Sequence, residues 1–119
     1  MRQAQAYQAA ARAALTLAEP GQNCSPLISQ VVLAAIAYGD ALTARRAQVV
    51  NQQDHAAAPR LLRDVLRDSL PVAQERRYRR LLGPKDEAQY GIRSAPFEEA
   101  RRLVEELDQF AAWVEGMLG

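Results

Sequence analysis

The sequence predicts an all-α protein, an up-down bundle of four to five helices forming a single domain over residues 1–119. Three observations carry that expectation. Alanine, the best intrinsic helix former, is abundant, while valine, isoleucine and threonine, which supply strands, are sparse. The C-terminal segment places Phe97, Ala100, Val104, Leu107, Ala111, Val114 and Leu118 on one helical stripe. Proline and glycine divide the rest into helix-sized pieces.

The first piece, Arg2 to Ala18, carries Tyr7, Leu15 and Leu17 on a weakly apolar face. Glu19-Pro20-Gly21-Gln22-Asn23 breaks it. Ser25-Pro26 restarts a helix, with serine as the expected N-cap and proline at the first helical position. That second helix is expected to run to about Val50. Its residues from Leu27 to Ala41 are apolar nearly all round, the pattern of a central, buried helix. Gly39 costs such a helix about 1 kcal/mol relative to alanine unless it permits close packing. Asp40 beside it needs a partner if buried, either on another helix or across a dimer interface.

Asn51 to Asp54 reads as a polar turn with Asp54 as an N-cap, followed by a third helix over about His55 to Ser69. Pro59 fits there only if the helix starts late, near Ala56, or is irregular in its first turn. Pro71 ends it. A fourth helix, about Val72 to Tyr90, is expected to kink or break at Gly83-Pro84 and to stop at Gly91. Ser94-Ala95-Pro96 opens the last helix.

At 119 residues the chain has the length of one domain, with 49% apolar and 24% charged residues and a net charge of +1. So small a charge gives no overall attraction to nucleic acid or to anionic lipid. The single cysteine, Cys24, excludes an intrachain disulfide and fits a reducing compartment. The longest unbroken apolar run, Val31 to Tyr38, falls short of the roughly 20 residues that span a bilayer. A cytoplasmic protein without membrane attachment is expected.

The charge is unevenly placed. Arg60, Arg63, Arg67, Arg76, Arg77, Arg79 and Arg80 outnumber Asp64, Asp68 and Glu75, whereas the segment from Pro96 onward holds six acids against Arg101 and Arg102. The two regions would neutralise each other across adjacent helices, or face different partners. Arg60, Arg63 and Arg67 share one helix face, and with Arg76, Arg77 and Arg80 they would make a phosphate-binding surface for nucleic acid. The commoner outcome is a solvated, partly paired face, and only Tyr78 supplies an interleaved aromatic.

His55, the one histidine, would serve as a general base near neutral pH or as a local helix-start hydrogen-bonder. With no second Cys or His nearby it does not suggest zinc, and no metal or cofactor is expected. Cys24 lacks a neighbouring base that would activate it. Lys85, Glu87 and Tyr90 would line a polar pocket or bind a phosphate if helix resumes after Pro84; otherwise they satisfy a helix end.

Several of these segments, taken in order, resemble the HEPN family of helical domains over most of the chain. The central "AAIAYGDALTA" is similar to the family's alanine-rich second helix, and His55 with "AAAPRLLRDVL" to the segment after it. The sharpest match is "LLGPKDEAQYG", with Lys85, Glu87, Ala88, Tyr90 and Gly91, followed by "FEEARRLVEELDQFAAWVEGML", with Phe110 and Trp113. The resemblance implies a four- or five-helix bundle, commonly dimeric, working beside a nucleotidyltransferase or on RNA. The family's ribonucleases pair an Arg and a His across a short spacer. Here nine residues (46–54) separate Arg45 from His55, and the motif that matches best has Lys85 and no histidine. The expected protein is therefore a non-catalytic HEPN-like domain acting by association, as a homodimer. The alternatives are a metal-independent ribonuclease or toxin of a toxin–antitoxin pair, assembled across a dimer from Arg45 or Arg46, His55 and Lys85, and a plain helical protein-interaction module.

Overall fold

A computed structural model describes residues 1–19, 21–51, 55–83 and 96–119. Among them are five α-helices and no strand, an all-α helical bundle as the composition predicts. They are α1 (Arg2–Leu17), α2 (Ser25–Ala47), α3 (Ala58–Leu66), α4 (Val72–Leu82) and α5 (Phe97–Leu118). Single 3-10 turns precede and follow α3, at His55–Ala57 and Arg67–Ser69.

The apolar girth of α2 decides the architecture. A helix that is apolar all round must be covered all round, and α2 packs against each of the other four. Leu27, Ile28, Val31, Val32, Ala34, Ala35, Tyr38 and Leu42 are buried along it. By length and composition alone it would also cross a bilayer, and here it is the core helix of the bundle. Its start differs from the expected one by a residue. Cys24 occupies the N-cap, and the Asn23 Oδ1 accepts the Ser25 N–H at 3.1 Å, with Pro26 in the first turn.

Its end differs by a full turn. Gln48 adopts the left-handed conformation (φ 57°), and its N–H closes onto the Ala44 carbonyl at 2.9 Å. The helix stops there instead of running to Val50, and Val49 and Val50 emerge on the connection, each 41% exposed. The αL stop is usually glycine, so the sequence carried no signal for it.

Helix α1 lies along α2 and buries Ala4 and Ala11, whose small side chains let the two axes approach. Helix α5 buries Ala100, Leu103, Val104, Leu107, Phe110, Ala111 and Val114. The stripe read from sequence is thus broader by Leu103 and Phe110, while Phe97 and Leu118 at its ends are only half-buried. Tyr78 of α4 stacks on Phe110 (ring centres 4.8 Å apart, planes 13° apart), and Phe110 leans on Trp113 at 5.8 Å. Gly39 of α2 makes room for this stack: a Cβ there would overlap the Tyr78 hydroxyl and lie 2.7 Å from its Cζ.

The third helix is shorter than the sequence reading. Its first turn is irregular, as Pro59 requires: a 3-10 turn precedes it and Pro59 falls in the first turn of α3. It ends at Arg67, whose φ of 50° and ψ of −120° is a conformation natural to glycine and costly for a side chain. Arg67→Gly is therefore expected to stabilise the protein by about 1 kcal/mol, the relief of strain exceeding the extra unfolded-chain entropy of glycine. A denaturant midpoint at or below that of the wild type would show the strain is absent. Helix α4 ends at Leu82; the expected kink at Gly83-Pro84 and its continuation to Tyr90 lie outside the described residues.

Candidate functional site

Asp40 sits one residue beyond the Gly39 notch, half-buried on α2. Its carboxylate accepts the backbone N–H of Asn51, and His55 lies close enough to attract it. The hydroxyl side of Tyr78, buried among α2, α4 and α5, feels the Asp40 charge. Four residues from three parts of the chain thus converge: Asp40, Asn51, His55 and Tyr78. The partner that Asp40 needs comes from the connection after its own helix, which is thereby tied back onto α2. Burial raises the Asp40 pKa above the ordinary carboxylate value, against the lowering effects of the Asn51 amide and of His55. Burial also pushes the Tyr78 phenol up, and the Asp40 charge adds to it.

A carboxylate beside an imidazole is the arrangement that orients a general base. Among the described residues, the candidate partners Arg45, Arg46 and Cys24 stand elsewhere. Relative to Asp40, Arg45 and Arg46 are turned about 140° and 120° around the α2 axis, at 100° per residue, so they face away from the side where His55 sits. Cys24 stands 16 residues before Asp40, about 24 Å along the same helix. It is buried, and its Sγ donates to the Gln22 carbonyl oxygen at 3.7 Å, the setting of an inert thiol. Among the described residues no group of three or more His, Cys, Asp or Glu side chains is placed to hold a metal ion.

The arginines divide into two sets. Arg77 is enclosed between α4 and α5. Its Nε donates to the Glu106 Oε2 at 2.8 Å, and its two terminal nitrogens donate to Gln74 Oε1 at 2.9 Å and Gln109 Oε1 at 2.6 Å. Arg80 reaches the same Glu106 oxygen at 3.0 Å. Arg63 and Arg79 share Glu75, at 2.5 and 3.4 Å. The basic segment and the acidic last helix therefore neutralise each other in part. Arg60, Arg67 and Arg76 are exposed and have no ion pair among the described residues.

Burial works against the Glu106 carboxylate, but the hydrogen bonds from Arg77 and Arg80 outweigh it and hold its pKa below the usual value. A lowered carboxylate pKa contributes stability that is complete above the ordinary glutamate range and is lost as pH falls through the lowered value. The stability gap between the wild type and Glu106→Gln is expected to be widest at neutral pH and to close towards about pH 3. Urea titrations of both proteins at the two pH values check this; a gap independent of pH would contradict it.

A second polar network crosses α1, α2 and α5. The Tyr38 hydroxyl donates to Gln8 Oε1 at 2.5 Å and lies 3.3 Å from Glu115 Oε1. Gln8 Nε2 in turn donates to Asp108 Oδ1 at 2.8 Å, which also accepts from Arg12 Nε at 3.0 Å. Burial first, then the Glu115 charge, push the Tyr38 phenol up to about 12. No spacing in the sequence signals this network, because its members are far apart in the chain.

Beside the Asp40 cluster the surface opens into a groove of about 500 Å³. Val49, Val50, Ala57 and Leu61 form its apolar part, and Asn51, Arg60 and Asp64 its polar rim. Of the residues singled out from sequence, the structure brings Asp40 and His55 together, links Asp40 to Asn51 in the groove lining, and sets Arg60 on the groove's rim. Arg46 and the α4 arginines are placed elsewhere, and Lys85, Glu87 and Tyr90 lie outside the described residues. No family model, curated protein or solved structure matches the chain.

Proposed function

We propose that the chain is a HEPN-like helical domain of the cytoplasm that acts by association, as a homodimer, and not by catalysis. The observation that carries this reading is the groove beside α3. An apolar floor of Val49, Val50, Ala57 and Leu61 with a charged rim of Arg60 and Asp64 has the layout of a protein–protein interface, apolar at the centre and polar at the edge. The site chemistry supports it as well. His55 serves with Asp40 to hold the connection onto α2, and Arg45 and Arg46 face away from that pair. Of the partner classes that the family resemblance brings, a nucleotidyltransferase fits these observations better than RNA. Arg63, Arg77, Arg79 and Arg80 are engaged with Glu75 and Glu106, so the basic segment presents far less free charge than its composition suggests.

The test is direct. Purified protein incubated with single-stranded RNA, without metal and at high protein concentration, is expected to leave the RNA intact. Cleavage that is abolished by His55→Ala would overturn the reading in favour of a ribonuclease. RNA binding that weakens steeply with salt and with Arg76→Ala, a substitution at an exposed arginine outside these ion pairs, would instead make nucleic acid the partner.

A further inference from the structure

The outward face of α3 carries charges in an order that a second copy of the same chain complements. Arg60 and Asp64 stand one helical turn apart, about 6 Å along the axis and about 40° round it, with Leu61 about 60° beyond Asp64. Both are exposed, and no ion pair joins them to each other or to any other described residue. Their order explains this in part. A base four residues before an acid opposes the helix dipole and is the weaker intrahelical arrangement. The two charges are thus poorly matched within their own helix and available across an interface.

A two-fold axis perpendicular to α3 reverses the helix direction. It places Arg60 of each copy opposite Asp64 of the other, so both charges are matched twice by one symmetry operation. Leu61, half-buried in the free chain, lies to one side of that axis, where it lines the groove with the exposed Val49 and Val50. The charge pair, the apolar side chains beside it and the groove all lie on one patch.

We infer that this α3 face, with Arg60 and Asp64 at its centre and Leu61, Val49 and Val50 at its side, joins two copies of the chain about a two-fold axis. The inference rests on the association reading above and names the surface that performs it. An unrelated helical partner would have to supply the acid-and-base order independently; a second copy supplies it by symmetry.

Sedimentation of the wild type, Arg60→Asp, Asp64→Arg, the double variant and an equimolar mixture of the two single variants tests it. The wild type is expected to be dimeric. Each single reversal opposes like charges at both contacts and weakens self-association about tenfold or more. The mixture pairs a wholly acidic face with a wholly basic one, and the double variant restores the alternation, so both are expected to dimerise again. Both positions are exposed, and unchanged helical circular dichroism confirms that the variants fold. A dimer unaffected by either reversal, or weakened but not rescued by mixing, would overturn this face while leaving homodimerisation itself intact. A monomeric wild type at every concentration would overturn this inference and the homodimer together.

Discussion

Gly39→Ala is expected to lower the stability of the bundle by about 2 kcal/mol, although alanine is the better helix former at an interior position. Propensity alone favours the substitution by about 1 kcal/mol. Against it stands the overlap of the new Cβ with the Tyr78 hydroxyl and with Cζ at 2.7 Å. Overpacking of a filled core costs typically 1–3 kcal/mol, and more where the neighbour cannot yield. Tyr78 cannot easily yield, because its ring is buried and stacked on Phe110. Combining Gly39→Ala with Tyr78→Phe removes the first atom in the way. The double variant is therefore expected to lose less than the sum of the singles, a coupling that urea denaturation of all four proteins measures. A Gly39→Ala protein as stable as the wild type would mean that α2 and α4 lie farther apart than described.

Phe110→Ala is expected to cost more, about 3–5 kcal/mol, the usual loss on truncating a fully buried aromatic. Phe110 has no exposed surface and is the middle ring of the Tyr78–Phe110–Trp113 row. Phe110→Leu keeps most of the volume and is expected to cost less than half as much. The chain's single tryptophan, Trp113, reports the change. Its emission is expected to move to longer wavelength in Phe110→Ala as water reaches the ring. A small loss of stability with unshifted emission would contradict the packing described.

The two substitutions mark where sequence reasoning succeeds and where it stops. The Phe97–Leu118 helix was legible because its stripe repeats with the period of a helix, and α2 because it is apolar all round. Pro59 announced an irregular first turn before α3. The stops at Gln48 and Arg67 were not legible, because in both a side chain occupies a conformation that glycine usually announces. Gly39 could be read as a cost or as a close approach, and only the position of Tyr78, 39 residues along the chain, decides between them.

The candidate site was legible in its residue types more than in its geometry. Asp40 in an apolar helix signalled the need for a partner, but the backbone amide of Asn51 has no side-chain signature. The opposing charge balances of the Arg60–Arg80 segment and the last helix predicted mutual neutralisation as one of two outcomes. Which arginines pair depends on the register of α4 against α5, which places Arg77 and Arg80 on Glu106 and leaves Arg76 exposed. No sequence signal marks the groove, because it exists only through the early end of α2, which turns Val49 and Val50 out beside α3.

The mass of the purified wild-type chain in solution, followed by sedimentation across micromolar to millimolar concentration, tests association most directly. A species of twice the 13.2 kDa chain mass is expected. A mass of 13.2 kDa throughout that range would contradict it.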